Sequence, residues 1–250
     1  MQLGIKSVEV GARVLGVLAQ ARTPLMLKDL AARARLSPSA AHRYLVSYRR
    51  IGLVRQDAST KAYDLGQFAI ELGVSALGRS NLLAAAHEIQ RELRDHLDES
   101  VMIAVWGSHG PVITSVEESS KPVVVTMRVG ATLPLFRTAT GWIFAAFTPR
   151  TVLKPIMRAE IASGRGPVER LGKSGIEKRL SDIRSAQLAS HSGHLLPGIS
   201  AVAAPLLDSR GVLVAAMSIF GSSEQFDASP NGAVAKLLKN SASRFTAFAT

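Results

Sequence analysis

Residues 36–56 read LSPSAAHRYLVSYRRIGLVRQ, and they carry four arginines and a histidine with no acidic residue. Ser37 suits a helix N-cap, because its hydroxyl accepts an otherwise orphan backbone N–H. Pro38 suits the first helical position, where its missing N–H costs nothing. Gly52 is the expected left-handed stop. Between these signals Ala41, Leu45 and Tyr48 recur at i, i+4 and i+7, and Ile51 extends the row. That row is a face to bury. The opposite face shows Ser39, His42, Arg43, Val46, Arg49 and Arg50.

The flanks place this helix in a larger pattern. Upstream, Val8, Ala12, Leu15 and Ala19, with Val14 and Leu18 beside them, fall at helical spacing up to a break near Thr23 and Pro24. Leu27, Leu30, Ala31 and Ala34 then define one face of a second helix. Downstream, 53–55 and 62–65 read as short strands about a turn at 57–60. Three helices followed by a hairpin is the order of a winged helix-turn-helix. A linker helix over 66–79 carries Phe68, Ile70, Leu72 and Leu77. Gly73 and Gly78 make it both a candidate dimer contact and a candidate hinge. The domain boundary is expected after residue 80, giving domains 1–80 and 81–250.

Charge follows the same division. Residues 1–80 hold twelve Lys/Arg against five Asp/Glu, whereas 81–250 hold eighteen against fourteen. A concentrated basic field favours a polyanion such as double-stranded DNA. The plainer reading is a solvated helix with ordinary arginines. Ordered helices, hairpin and charge together favour recognition. His42 and Arg43, in the N-terminal half of the third helix, are placed to reach base edges, with Ser39 beside them. Arg49 and Arg50 lie further back, at phosphate distance. Arg55 and Lys61 belong to the wing, and Lys28, Ser37 and Ser47 complete the candidate DNA-binding set with Ala40.

The remainder alternates strands and helices. Strands are expected at 101–106, 112–117, 122–129, 199–207 and 212–220, and helices at 82–98, 138–148, 150–162, 175–190 and from about 230. Hairpin connections in this mixture argue for an α+β fold. With 47% hydrophobic residues the 250-residue chain has ample material for packed cores. It has no cysteine, which excludes disulfides and thiolate sites and fits a reducing cytoplasm. No apolar run approaches the roughly 18–20 residues needed to span a bilayer, and 14–21 reads as part of an amphipathic helix, not a signal peptide. Neither a membrane partner nor a cofactor is expected.

Enzymatic motifs fail on inspection. Residues 166–174, GPVERLGKS, have five residues between the glycines where a P-loop needs four. No Gly-x-Ser-x-Gly elbow occurs. The six histidines are scattered, so no metal site is assigned. Glu117 and Glu118 read as a solvated pair. No catalytic residue is assigned, and an enzyme or carrier with a basic N-terminal domain is the weakest alternative.

Read together, these residues resemble the IclR family of bacterial transcription regulators. The resemblance runs through 27–31 (LKDLA), 36–45 (LSPSAAHRYL), 51–55 (IGLVR) and 63–66 (YDLG). It continues through 129–135 (VGATLPL), 138–141 (TATG), 196–205 (LPGISAVAAP) and 215–221 (AAMSIFG), in the family's order. It implies a GAF-like α/β effector domain after the winged helix-turn-helix, a small-molecule ligand such as an organic or aromatic acid, and a homodimer or homotetramer. Ala40 stands where the family usually has Thr, so one hydroxyl contact is missing. Phe136-Arg137 replaces the frequent His-Ala, Trp142 replaces a frequent Lys, and Ala201 a frequent Cys.

The matched blocks imply Gly130, Leu133, Thr138, Ala139, Thr140, Ile199, Ala201, Ser218 and Phe220 for the effector pocket, and Met127, Arg137 and His191, which lie outside those blocks, complete the candidate set. Arg137 or His191 is expected to neutralise a carboxylate, with Met127, Leu133, Ile199 and Phe220 around an apolar body. The plainer alternative makes Arg137 a surface charge, His191 and His194 loop residues, and Met127 and Phe220 ordinary core. A regulator that binds DNA constitutively, with a vestigial pocket, is a further alternative.

Overall fold

A computed structural model describes residues 4–78, 81–121, 127–163, 168–192 and 197–248. The chain divides into two compact units, 1–80 and 81–250.

The first unit opens with α1 (Lys6–Gln20), α2 (Leu27–Ala34) and α3 (Pro38–Arg50). Val14, Leu18, Leu30, Ala31, Ala34, Ala41 and Leu45 form their shared core. The stripe expected on α1 is rotated. Gly11, Val14 and Leu18 are buried, whereas Val8, Ala12 and Ala19 are exposed. Gly11 explains the rotation: a Cβ there would lie 1.9 Å from the Tyr48 hydroxyl, so only glycine lets the α3 tyrosines approach α1. Arg35 closes α2 at a left-handed φ of 56°. Ser37 caps α3 by accepting the Ala40 N–H, and Gly52 follows its end at φ 75°.

The wing pairs β1 (Val54–Gln56) antiparallel with β2 (Tyr63–Leu65). Leu25 adds an isolated antiparallel bridge, exchanging both backbone hydrogen bonds with Tyr63 at 2.9 and 2.7 Å. This bridge ties the α1–α2 turn to the wing and has no local sequence signal. Helix α4 (Gln67–Gly78) follows, with Phe68, Ile70, Leu72 and Val74 all exposed.

The second unit is a five-stranded antiparallel sheet between helical layers. It contains α5 (Asn81–Leu97), β3 (Ser100–Gly107), β4 (Gly110–Glu117), α6 (Ala139–Phe147), α7 (Arg150–Ala162), α8 (Val168–Ala186), β5 (Ala189–Ser192), β6 (Ile199–Leu207), β7 (Leu213–Ser222) and α9 (Ala233–Phe248). The strand order is β4-β3-β7-β6-β5. Period-two alternation sorts its side chains. Val101, Ile103, Val202, Ala204, Met217 and Ile219 face α5 and α9. Met102, Ala104, Ala203, Ala216 and Phe220 face α6, α7 and α8.

Two expectations need correction here. The helix expected at 175–190 ends at Ala186, because Ala189–Ser192 instead pairs with β6 as an edge strand. Those backbone bonds to β6 override a local pattern that reads as helix. The strand expected at 122–129 falls mainly on residues 122–126, which lie outside the described residues, and 127–129 carry no strand.

Candidate DNA interface and effector cavity

On α3 the buried and exposed faces separate cleanly. Ala41 and Leu45 are fully buried, while Ser39, His42, Arg43, Arg49 and Arg50 are exposed. Two of the expected DNA contacts, Ser37 and Ser47, are exposed and also make local hydrogen bonds. Ser37 Oγ accepts the Ala40 N–H and lies 3.2 Å from Ser39 Oγ, and Ser47 Oγ donates to the Arg43 carbonyl at 3.2 Å. Ala40 is half-buried beside them.

Further along, Arg49 Nη1 donates to Gln56 Oε1 at 2.9 Å, and Gln56 Nε2 donates to the Lys61 carbonyl at 3.0 Å. This relay fastens the end of α3 to the wing, so Arg49 has a structural partner as well as an exposed position. Arg55 pairs with Asp64 at 2.7 Å, and Lys61 is exposed at the wing turn with φ 61°. Asp57 shapes that turn. The Ser59 hydroxyl, the Thr60 N–H and hydroxyl, and the Ser59 N–H all donate to it, holding its carboxyl well below the usual carboxylate range. Lys28 is exposed on α2.

In the second unit a cavity lies between the sheet and the start of α6. It is lined by Met102, Met127, Leu133, Arg137, Thr138, Ala139, Thr140, His191, Ile199, Ala201 and Phe220. Strand register brings distant residues together there. His191 pairs with Ala201, and Ala201 with Phe220, so all three project from one side of the sheet in a single row. The small Ala201 side chain between two rings leaves the hollow. Met102, on the next row beside Ser218, was not singled out by sequence, because strand register is not written in any local pattern.

Gly130 and Ser218 do not line the cavity. Gly130 lies along the edge of β4, where its N–H donates to the Ile113 carbonyl at 2.7 Å. Ser218 is fully buried beneath the cavity, its hydroxyl 2.6 Å from that of Thr140. Arg137 is half-buried at the cavity and His191 is buried in the edge strand β5, so neither is the surface or loop residue of the plainer alternative. His194 lies outside the described residues.

The start of α6 is tightly specified. Thr138 Oγ1 accepts the Gly141 N–H and donates to the Pro134 carbonyl, both at 2.8 Å. A Cβ at Gly141 would lie 2.1 Å from that same carbonyl, so this approach requires glycine. The helix therefore begins two residues after Arg137, and a helix start suits an anion. Trp142, one turn in, is wholly buried and stacks 5.0 Å from Phe136. The Arg179 guanidinium lies 4.4 Å over the Trp142 ring and donates to the Ser190 carbonyl, bracing the strand that carries His191. Burial there lowers the Arg179 pKa. Among the described residues no group of His, Asp or Glu is arranged to hold a metal ion, and no helix is long and apolar enough to cross a membrane.

A three-helix unit with a hairpin wing, followed by a sheet domain with its own cavity, is the plan of a transcription regulator with an effector domain. The IclR helix-turn-helix domain matches residues 7–58, and the bacterial transcriptional regulator IclR C-terminal domain matches residues 74–247. The chain belongs to the IclR family. It is similar to Pseudomonas aeruginosa HmgR, with 33% identity, 98% of both chains covered and a TM-score of 0.63. It is similar to the glycerol operon regulatory protein of Streptomyces griseus, at 29% identity over 94% of this chain and 91% of the other. It shares its fold with an IclR homolog from Microbacterium hydrocarbonoxydans solved with 4-hydroxybenzoate, at 21% identity, 96% and 98% coverage and a TM-score of 0.73. It is a DNA-binding transcription regulator with an effector domain, and its relatives are regulators, not enzymes.

Proposed function

We propose that the chain binds a palindromic operator as a homodimer and that a small aromatic carboxylate controls this binding. In this reading Ser39, His42 and Arg43 meet base edges in the major groove. Lys28, Arg50, Arg55 and Lys61 meet phosphates, with Arg49 shared between phosphate and the wing. The exposed apolar residues of α4 support a second copy as their cover, since Ile70, Leu72 and Val74, on both sides of the helix, are each at least half exposed. A twofold dimer then matches a twofold operator.

One observation carries the effector reading. The cavity lining joins Arg137, Thr138 and the start of α6 to Met102, Met127, Leu133, Ile199 and Phe220. A cation and helix N–H groups suit a carboxylate, and the apolar walls suit a ring. His191 is the polar group across the sheet row. The free space is about 40 Å³, which holds a few waters and not a benzene ring. An effector therefore selects a wider form, and the two methionines, with their flexible unbranched side chains, are the walls best able to yield.

The test is footprinting on DNA upstream of the chain's own gene, with and without a panel of aromatic carboxylates led by 4-hydroxybenzoate. Protection of two half-sites about one helical turn apart, altered by one of the acids, is the expected result. Protection of one half-site alone sinks the dimer. Binding untouched by every acid, with no thermal stabilisation by any of them, favours the constitutive regulator, to which the contracted cavity also points.

A further inference from the structure

We propose that Glu160, which touches no part of the cavity, is a positioning residue for the effector: its carboxylate fixes the wall that holds Arg137 against the start of α6. The proposal rests on the effector reading above.

Glu160 is out of place by local rules. It sits in the last turn of α7, where the helix already concentrates negative partial charge and a carboxylate is disfavoured. A residue that breaks a local rule is expected to be compensated by tertiary contacts. Here the compensation is specific. Glu160 Oε2 accepts the Leu135 N–H at 2.7 Å, and Oε1 accepts the Phe136 N–H at 3.0 Å. One carboxylate thus satisfies two successive backbone donors, and both residues are wholly buried. Charge-assisted bonds of this kind are the stronger class.

The anchored segment is a cavity wall without regular secondary structure. Its flanks are tied elsewhere, by the Leu133 N–H to the Pro111 carbonyl at 2.8 Å and by the Thr138 hydroxyl to the Pro134 carbonyl at 2.8 Å. At its centre the Leu135 and Phe136 side chains are packed in the core, and among the described residues Glu160 is the side chain that accepts their backbone N–H groups. The next residue after the anchored pair is Arg137, then Thr138 and the first N–H groups of α6. Arg137, Thr138 and the start of α6, the groups proposed to meet the carboxylate, therefore follow directly from the two amides that Glu160 fixes. Met102, Ile199, Ala201 and Phe220, proposed to meet the ring, belong to the sheet and do not depend on this anchor.

This separation makes the inference testable. Glu160→Gln keeps the shape but offers one acceptor where two are needed, and turns an amide N–H toward a backbone N–H. Binding is measured by calorimetry on the full chain, using aromatic carboxylates led by 4-hydroxybenzoate, each paired with its neutral carboxamide. Glu160→Gln is expected to weaken the acid by about tenfold while leaving the carboxamide within about twofold. Combined with Arg137→Ala, it is expected to add little to the loss from Arg137→Ala alone, because both act on one contact. Should Glu160→Gln fail to fold, Glu160→Asp keeps the charge but shortens the reach, and is read the same way. Unchanged or tighter acid binding, or equal loss for acid and carboxamide, overturns the positioning role. Failure of the unsubstituted protein to bind any acid of the panel overturns the effector reading itself, and this inference with it.

Discussion

On α3, Leu45 is wholly buried and Arg43, two residues earlier, is exposed; thirteen consecutive residues of one helix supply both the packing and the proposed reading face. In the proposed effector cavity, His191, Ala201 and Phe220 come from three strands and share a wall only because β5, β6 and β7 pair in one register. The first surface is a local consequence of helical period. The second is assembled across the sheet. Local surfaces expose side chains that the fold does not need, so they tolerate substitution without structural cost. An assembled cavity makes the same residues serve core and ligand, so each change there is felt by both.

The largest expected effect tests that contrast directly. His42→Ala with Arg43→Ala should weaken operator binding by about 100-fold or more at fixed salt, taking about 1–3 kcal/mol for each good base contact. Stability should stay within about 0.5 kcal/mol, as for surface substitutions away from packed features. Fluorescence anisotropy and urea unfolding measure the two quantities. Equal operator affinity in the double variant would remove α3 as the reading surface.

The cavity should behave in the opposite way. Thr140→Val strands the Ser218 hydroxyl, which is fully buried with Thr140 as its neighbour at 2.6 Å. An orphaned buried hydroxyl costs about 1–3 kcal/mol, so stability falls along with effector affinity. Adding Ser218→Ala should return most of the stability, because removing both partners leaves nothing unpaired. If urea midpoints show no recovery in the pair, the hydroxyl contact is not what Thr140 contributes.

The same contrast explains what the sequence discloses. Ser37, Pro38 and Gly52 mark the ends of α3 because capping chemistry is local. Alternation places Ile199, Ala201 and Phe220 on one side of their strands for the same reason. What stays hidden is what depends on partners far along the chain. Met102 reaches the cavity through register with β7, and the Leu25–Tyr63 bridge joins residues nearly forty apart. The edge strand β5 is helix-like until β6 supplies its hydrogen bonds. Glu160 carries a faint signal, a carboxylate at the wrong end of a helix, but nothing in sequence names Leu135 and Phe136 as its partners. Gly11 reads as a weak point in α1 until Tyr48 is seen against it.

The smallest expected effect lies in the wing, where the local surface is least independent of the fold. Arg55 is 68% exposed yet bonded to Asp64, so any phosphate must compete with that carboxylate. The pair itself is worth little, about 0–1 kcal/mol for an exposed bridge. Its influence on DNA should appear as two changes of opposite sign. Arg55→Ala should weaken operator binding a few-fold and reduce the slope of log affinity against log salt by about one, as for one lost phosphate contact. Asp64→Asn keeps an acceptor for the Leu65 N–H, which now bonds Asp64 Oδ1 at 2.9 Å, but removes the competing charge. It should tighten binding modestly and leave the wing folded. Anisotropy titrations at several salt concentrations distinguish the cases. Weakening by both variants would mean that the ion pair holds the wing in shape and that Arg55 does not meet phosphate at all.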